Sequence, residues 1–306
     1  MSSILNKAKV KNETGGRPPA AVEITPEGVL SAALPVAGGS PVYAFESLPE
    51  GFVVPSIGET NLRAPEAVAS AIRASLDQVS PRLRVATLVL PDTLVRVFML
   101  EFDTLPTKKA EVLPVIRFRL RKLVPFEVEQ AGVSYQILSQ TKDQCKVLAA
   151  IIPGPVLAEY EAVLRAAGYE PGAVLPSSLA AIETVDAMEA VLAANLSGRS
   201  ITTLIANGQE LLLYRNIDLP DAPEEQMREI ERSIAVATAY YEDRLGARPT
   251  RIFYSGNRLA AEFAACLGET ELPVVELAPT PNAGAMTSLG HNSIAGVTGA
   301  LAGAIA

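Results

Sequence analysis

The sequence has no tryptophan, one histidine and two cysteines among 306 residues, and only 5% of it is aromatic. Each shortage closes a line of function. His291 and the distant thiols of Cys145 and Cys266 cannot supply the ligand set of a His/Cys zinc site. The cysteines lie outside any CxxC spacing and are expected as free thiols in a reducing compartment. Few aromatics means few stacking platforms for single-stranded nucleic acid, and a net charge of −8 removes the overall cationic field that nucleic-acid binders use. No apolar run reaches the ~18–20 residues of a membrane span. The most apolar stretch, 294–305, is too short and is expected as a packed C-terminal helix. Residues 1–17, with Lys7, Lys9 and Lys11, lack the apolar segment of a secretory signal and read as a flexible polar tail.

Nucleophilic and acid–base catalysis find little support. Neither Ser197-Gly198 nor Ser255-Gly256 sits in a G-x-S-x-G elbow. His291 falls in a loop as a surface residue, and the pairs Glu224-Glu225 and Glu242-Asp243 fall on helix surfaces. What the chain does have is apolar residues at 49% against 20% charged, a globular balance, and length for two domains or one split fold.

Turn chemistry gives the organisation. AAVEIT and VLSAAL, joined by Pro26-Glu27-Gly28, read as a hairpin, with further turns at Gly38-Gly39 and Pro49-Glu50-Gly51. Val68, Ile72, Leu76 and Val79 are spaced for a helix over 64–79 that starts near Pro65. VATLVLP (85–91) reads as a strand buried on both faces. A small α+β unit follows: a strand VRVFMLEF, a helix capped by Thr107 and kinked at Pro114 that runs to about Leu123, strands GVSYQIL and KVLAAIIP, and a helix closed by Gly168. A helix is expected over 175–192. From Asn195 to Arg215 the chain reads strand, small-residue turn, strand, Asn207-Gly208 turn, strand. A long helix over 222–245 ends at Gly246, and RIFYSG, LAAEFAACLG and PVVEL alternate strand, helix, strand.

The order of these pieces resembles the actin-like superfamily, and more narrowly the type IV pilus assembly PilM family. The residues carrying the resemblance are RFRLRKLVPFEVEQAGVSYQIL (117–138), KVLAAIIPGPVLAEYEAVLRAAGYEPGAVLPSSLA (146–180), the 195–215 hairpins and YSGN (254–257). It implies an α/β, actin-like (ribonuclease H-like) two-half fold with a small α+β subdomain inserted in the first half. The first domain is expected over 18–93 and 172–194, the insert over 94–171, and the second domain over 195–306, its C-terminal helix packing back on the first.

The resemblance also implies a nucleotide cleft whose remnants are Thr25, Asn195, Ser197, Gly198 and Gly256. The loops depart from the family's pattern. Pro26 has no amide for a phosphate, Glu27 adds a negative charge, Leu30 stands at the loop's lysine position, and Asn195 replaces the aspartate that works through Mg²⁺. No bound cofactor and no ATP hydrolysis are therefore expected, and catalytic and metal residues are none. The function implied is a cytoplasmic scaffold at the inner face of the inner membrane. It would bind the tail of a PilN-like membrane protein and other pilus components, with membrane association through that partner and a homo-oligomer left open. The partner surface is expected at Arg117, Arg119, Arg121, Leu123, Pro125 and Phe126, where cations interleave with apolar residues. Two alternatives stay open: an ATP-binding switch or kinase of the same superfamily, and the cytoplasmic part of a type II secretion component, which would continue into a transmembrane segment.

Overall fold

The computed structural model describes residues 16–35, 39–80, 82–185, 189–197, 199–208, 210–268, 272–278 and 293–302. Most of the expected N-terminal tail, together with Gly198 and His291, lies outside the described residues.

Two five-stranded sheets repeat one plan. In the first, β1 (Ala20–Ile24), β2 (Gly28–Ala33) and β3 (Val42–Ser47) form an antiparallel meander, and β1 also pairs in parallel with β4 (Val85–Leu90). β8 (Glu170–Pro176) completes the order β3-β2-β1-β4-β8. In the second, β9 (Ala190–Ser197), β10 (Ser200–Asn207) and β11 (Glu210–Asp218) form the meander. β12 (Ile252–Gly256) and β13 (Val274–Glu276) add in parallel, giving β11-β10-β9-β12-β13. β1, β2, β9 and β10 are almost wholly buried, which is why they read as apolar runs rather than as alternating strands.

Helices cover these sheets: α1 (Pro65–Val79) on the first and α5 (Pro223–Leu245) on the second, each with proline in its opening turn. Between β4 and β8 the chain builds a third sheet from β5 (Arg96–Phe102), β6 (Gly132–Gln140) and β7 (Cys145–Ile152), in the order β5-β7-β6. α2 (Lys109–Leu120) closes over this sheet through Val112, Ile116 and Leu120. α3 (Gly154–Ala166) leads out of it and packs on α1. Cys145, which is buried, and Cys266 are free thiols.

Two expectations are corrected. Residues 175–192 are not a helix: β8 ends at Pro176, a short α4 (Ser177–Ala181) and a 3-10 turn (Ile182–Thr184) follow, and β9 starts at Ala190. A buried strand of Ala, Val and Leu carries no period that separates it from a buried helix. Thr107 caps nothing, because α2 begins at Lys109 without a side-chain cap. α2 runs through Pro114, which forgoes the bond to the Ala110 carbonyl.

After a short α6 (Ala260–Ala265), the last described helix, α7 (Ala295–Ala302), crosses back from the second half to pack on α4, β1 and β2. Thr298 Oγ1 lies 3.0 Å from Tyr43 Oη on β3. Gly299 permits this crossing, since a Cβ there would overlap the Ala180 carbonyl.

Candidate functional site

The turn between β1 and β2, the end of β9 and the end of β12 meet in one cleft between the two halves. It is lined by Glu23, Thr25, Glu27, Leu30, Ser177, Asn195, Leu196, Ser197, Ser255, Gly256, Asn257, Ser293 and Gly296. Four of the five remnant residues named from sequence, Thr25, Asn195, Ser197 and Gly256, are brought together there. The free volume left among them is ≈ 30 Å³, room for one or two waters. Cofactor pockets run to roughly 300–1,000 Å³.

The polar groups of the cleft are largely taken up by the chain itself. The Thr25 amide donates to the Gly28 carbonyl at 2.9 Å, and the Gly28 amide returns to the Thr25 hydroxyl at 3.2 Å. With Pro26 between them, three of the four turn residues have no amide left to offer a ligand. Asn195, 2% exposed, donates from Nδ2 to Asp92 Oδ2 at 2.9 Å and accepts from Ser255 Oγ at 2.7 Å. At the mouth, Asn257 Nδ2 donates to Glu27 Oε1 at 3.0 Å, a direct bond between the two halves. Gly256 is packed as tightly: a Cβ there would lie 2.6 Å from the Leu196 carbonyl oxygen and 2.7 Å from the Tyr254 hydroxyl.

The residue that holds this arrangement is Asp92, which the sequence reading passed over. It follows β4 in a single 3-10 turn (Asp92–Leu94) and is fully buried. Its carboxylate accepts from the Ser178 amide at 3.0 Å and from Thr202 Oγ1 at 2.7 Å, besides Asn195. Asn216 Nδ2 donates in turn to Thr202 Oγ1 at 2.8 Å, and the Tyr214 and Ser178 hydroxyls lie 3.0 Å apart. One carboxylate from the first half thus gathers donors from α4, β9 and β10. Burial pushes the Asp92 carboxyl above the usual carboxylate range, and its hydrogen bonds pull it back.

Glu23, on β1, is the second buried acid. It accepts from Ser177 Oγ at 2.6 Å and is 6% exposed. Burial raises its carboxyl to about 7; the Ser177 bond opposes the rise, and the Asp92 and Glu27 charges add to it. The only sequence-level signal for Asp92 is an acid directly after a buried strand. Its three donors lie 86 to 110 positions away.

The surface named for a partner is divided by the structure. Arg117 folds back onto the carbonyls of Val128 and Ala131, the latter at 3.0 Å. Arg121 pairs with Glu129 at 2.7 Å. Phe126 is half-buried against the insert's core. Arg119, Leu123 and Pro125 are exposed. A second groove of ≈ 330 Å³ lies elsewhere, between the edge strands β5 and β11, lined by 97–101 and 210–214 with Lys146, Tyr240 and Arg244.

This architecture is the actin-like α/β fold with an α+β insert. No protein-family profile matches the sequence, and no curated protein matches it. Among solved structures, the chain is similar to one described as the PilM-PilN type IV pilus biogenesis complex. The TM-score is 0.67 and the identity 17%, over 93% of this chain and 96% of that one. It is also similar to the cytoplasmic domain of EpsL, an inner membrane component of the type II secretion system of Vibrio cholerae. There the TM-score is 0.50 and the identity 12%, over 87% and 90% of the two chains. Among the described residues no helix is long and apolar enough to cross a membrane.

Proposed function

We propose that this chain is a scaffold of a type IV pilus or related secretion machine, working at the inner face of the inner membrane without hydrolysing ATP. It would bind the cytoplasmic tail of a PilN-like membrane protein. The observation that carries the non-catalytic part is the hydrogen bonding of Asn195. Both ends of its amide are engaged inside the protein, on Asp92 and on Ser255, and the uncharged amide brings no carboxylate to a metal's water shell. The small cleft volume and the Thr25–Gly28 turn support the same reading. The partner reading is supported by the likeness to a PilM-PilN complex over nearly the whole chain.

A tail peptide would seat beside the turn after α2, with Leu123 and Pro125 exposed as apolar contacts and Arg119 nearby. Calorimetry with Mg-ATP, and co-purification with the tail of a PilN-like protein, test the two parts separately. No heat at near-millimolar ATP, with tail capture lost on Leu123→Asp, is the expected pair of results. Micromolar ATP binding would overturn the first part in favour of a nucleotide switch. Capture indifferent to Leu123→Asp, and to charge reversal at Arg119 and Arg121, would move the seat away from this turn.

A further inference from the structure

The outer face of α2 and the turn beyond it has no role in the cleft. Phe118 is 63% exposed and Leu123 44% exposed, unusual for large apolar side chains on a helix that already buries Val112, Ile116 and Leu120. Positions three and four apart are neighbours on a helix, so Phe118 lies beside Lys122 and Arg119 beside Lys122 and Leu123. Backbone bonds from Lys122 to Arg119 and from Leu123 to Leu120 keep the helical turn going past the end of α2. Arg117 and Arg121 are spent on internal partners, whereas the side chains of Arg119 and Lys122 make no hydrogen bond or ion pair among the described residues. Between 108 and 131 six cations, Lys108, Lys109, Arg117, Arg119, Arg121 and Lys122, stand against three carboxylates, Glu111, Glu127 and Glu129. The whole chain carries −8. The excess of positive charge is therefore local, and it coincides with the exposed apolar pair.

We propose that this face, formed by Phe118, Arg119, Lys122 and Leu123, seats on an anionic lipid bilayer surface. Two free cations beside an exposed phenylalanine match the chemistry of an interfacial contact, in which the ring enters the headgroup boundary and the cations meet lipid phosphates. Neither of the cavities described above is lined by these residues, so the face is open and suits an extended surface; it shares Arg119 and Leu123 with the seat proposed for the tail, so the two contacts would compete there. The contact would set the insert against the membrane with the cleft free. It does not depend on the scaffold reading, because neither nucleotide nor partner takes part.

Sedimentation of the full chain with vesicles tests it. One set holds equal parts phosphatidylglycerol and phosphatidylcholine, the other phosphatidylcholine alone. Binding to the anionic set only, weakened by salt, is expected. Arg119→Gln and Lys122→Gln should each lower it about fivefold, and Phe118→Ser should remove the fraction that resists salt. All three positions are exposed, and unchanged thermal melting confirms that the variants fold. Equal binding to both sets, no binding to the anionic set, or indifference to the substitutions overturns the proposal. Displacement by soluble glycerol phosphate would assign a free phosphate group instead. Capture by polyglutamate without vesicle binding would assign an acidic protein, and either result also overturns it.

Discussion

Asn195→Asp separates the two readings of the cleft most sharply. In a nucleotide enzyme it restores the acid that works through magnesium, and Mg-ATP affinity should rise. In this structure it removes the donor that faces Asp92 Oδ2 at 2.9 Å and puts a carboxylate in its place. Two unit charges that close repel by about 6 kcal/mol at the effective dielectric of roughly 20 that describes protein sites. The pair escapes most of that by keeping one proton, which at pH 7 costs about 4 kcal/mol relative to an ordinary aspartate. The retained proton also restores a donor toward Asp92. The penalty is therefore pH-dependent. A carboxyl whose folded pKa is raised is penalised only above its unfolded value near 3.9, and the penalty grows with pH until the folded value is passed. Urea denaturation should place the variant about 3–4 kcal/mol below the parent at pH 7 and within ~1.5 kcal/mol of it at pH 5. Equal stability of variant and parent at pH 7, or a gain in Mg-ATP binding by calorimetry, would refute the reasoning.

Glu23 gives a second pH-dependent outcome. Its folded pKa of about 7 lies above the ordinary value of 4.5, so the stability tied to its neutral form is full below pH 4.5 and is lost as pH rises to 7. Glu23→Gln keeps an acceptor for Ser177 and should flatten that part of the pH profile, leaving the variant up to about 3 kcal/mol more stable at pH 8; a profile parallel to the parent's would contradict the buried-acid account. In the insert, Arg117→Ala strips two carbonyls, Val128 and Ala131, of a charged donor and should cost about 2–3 kcal/mol. Arg119→Ala on the exposed side should stay within about 0.5 kcal/mol, and equal losses in thermal melts would show that the division of the basic run is wrong.

The fold was legible where local chemistry is decisive. Asn207-Gly208 and Pro26-Glu27-Gly28 announce hairpins because few other residues accept those turns, and β1, β2, β10 and β11 fall where the turns put them. The 175–192 stretch was not legible, because its Ala, Leu and Val residues satisfy a helix and a buried strand equally well. β3 was missed for the opposite reason: it is an edge strand, partly exposed and without a clean alternation. At the site, residue types could be read but bonding could not. The arginines at 117 and 121 look like surface cations until the chain after α2 turns back and presents the carbonyls and the carboxylate that engage them. Asp92 carries one faint local mark, its place just after a buried strand. Its role exists only once residues from α4, β9 and β10 converge on it.

That convergence bears on why the cleft can differ so far from a nucleotide site while the fold around it stays regular. In a fold whose halves meet across a cleft, a bound nucleotide with its metal would tie them together. Here three ties come from the chain itself. Asp92 joins the first half to β9 and β10 at the base, Glu27 and Asn257 join across the mouth, and α7 crosses from the second half onto α4. Each charged-group bond of this kind is worth roughly 1.5–3 kcal/mol when its partners are buried, so the base tie outweighs the half-exposed bond at the mouth. Glu27 and Asn195, which look like losses when each is compared with a phosphate loop, belong to this second set of contacts. On the scaffold reading proposed above, the halves would keep one arrangement at any nucleotide concentration. The insert and its cationic face would be presented to a partner or a membrane in a constant orientation.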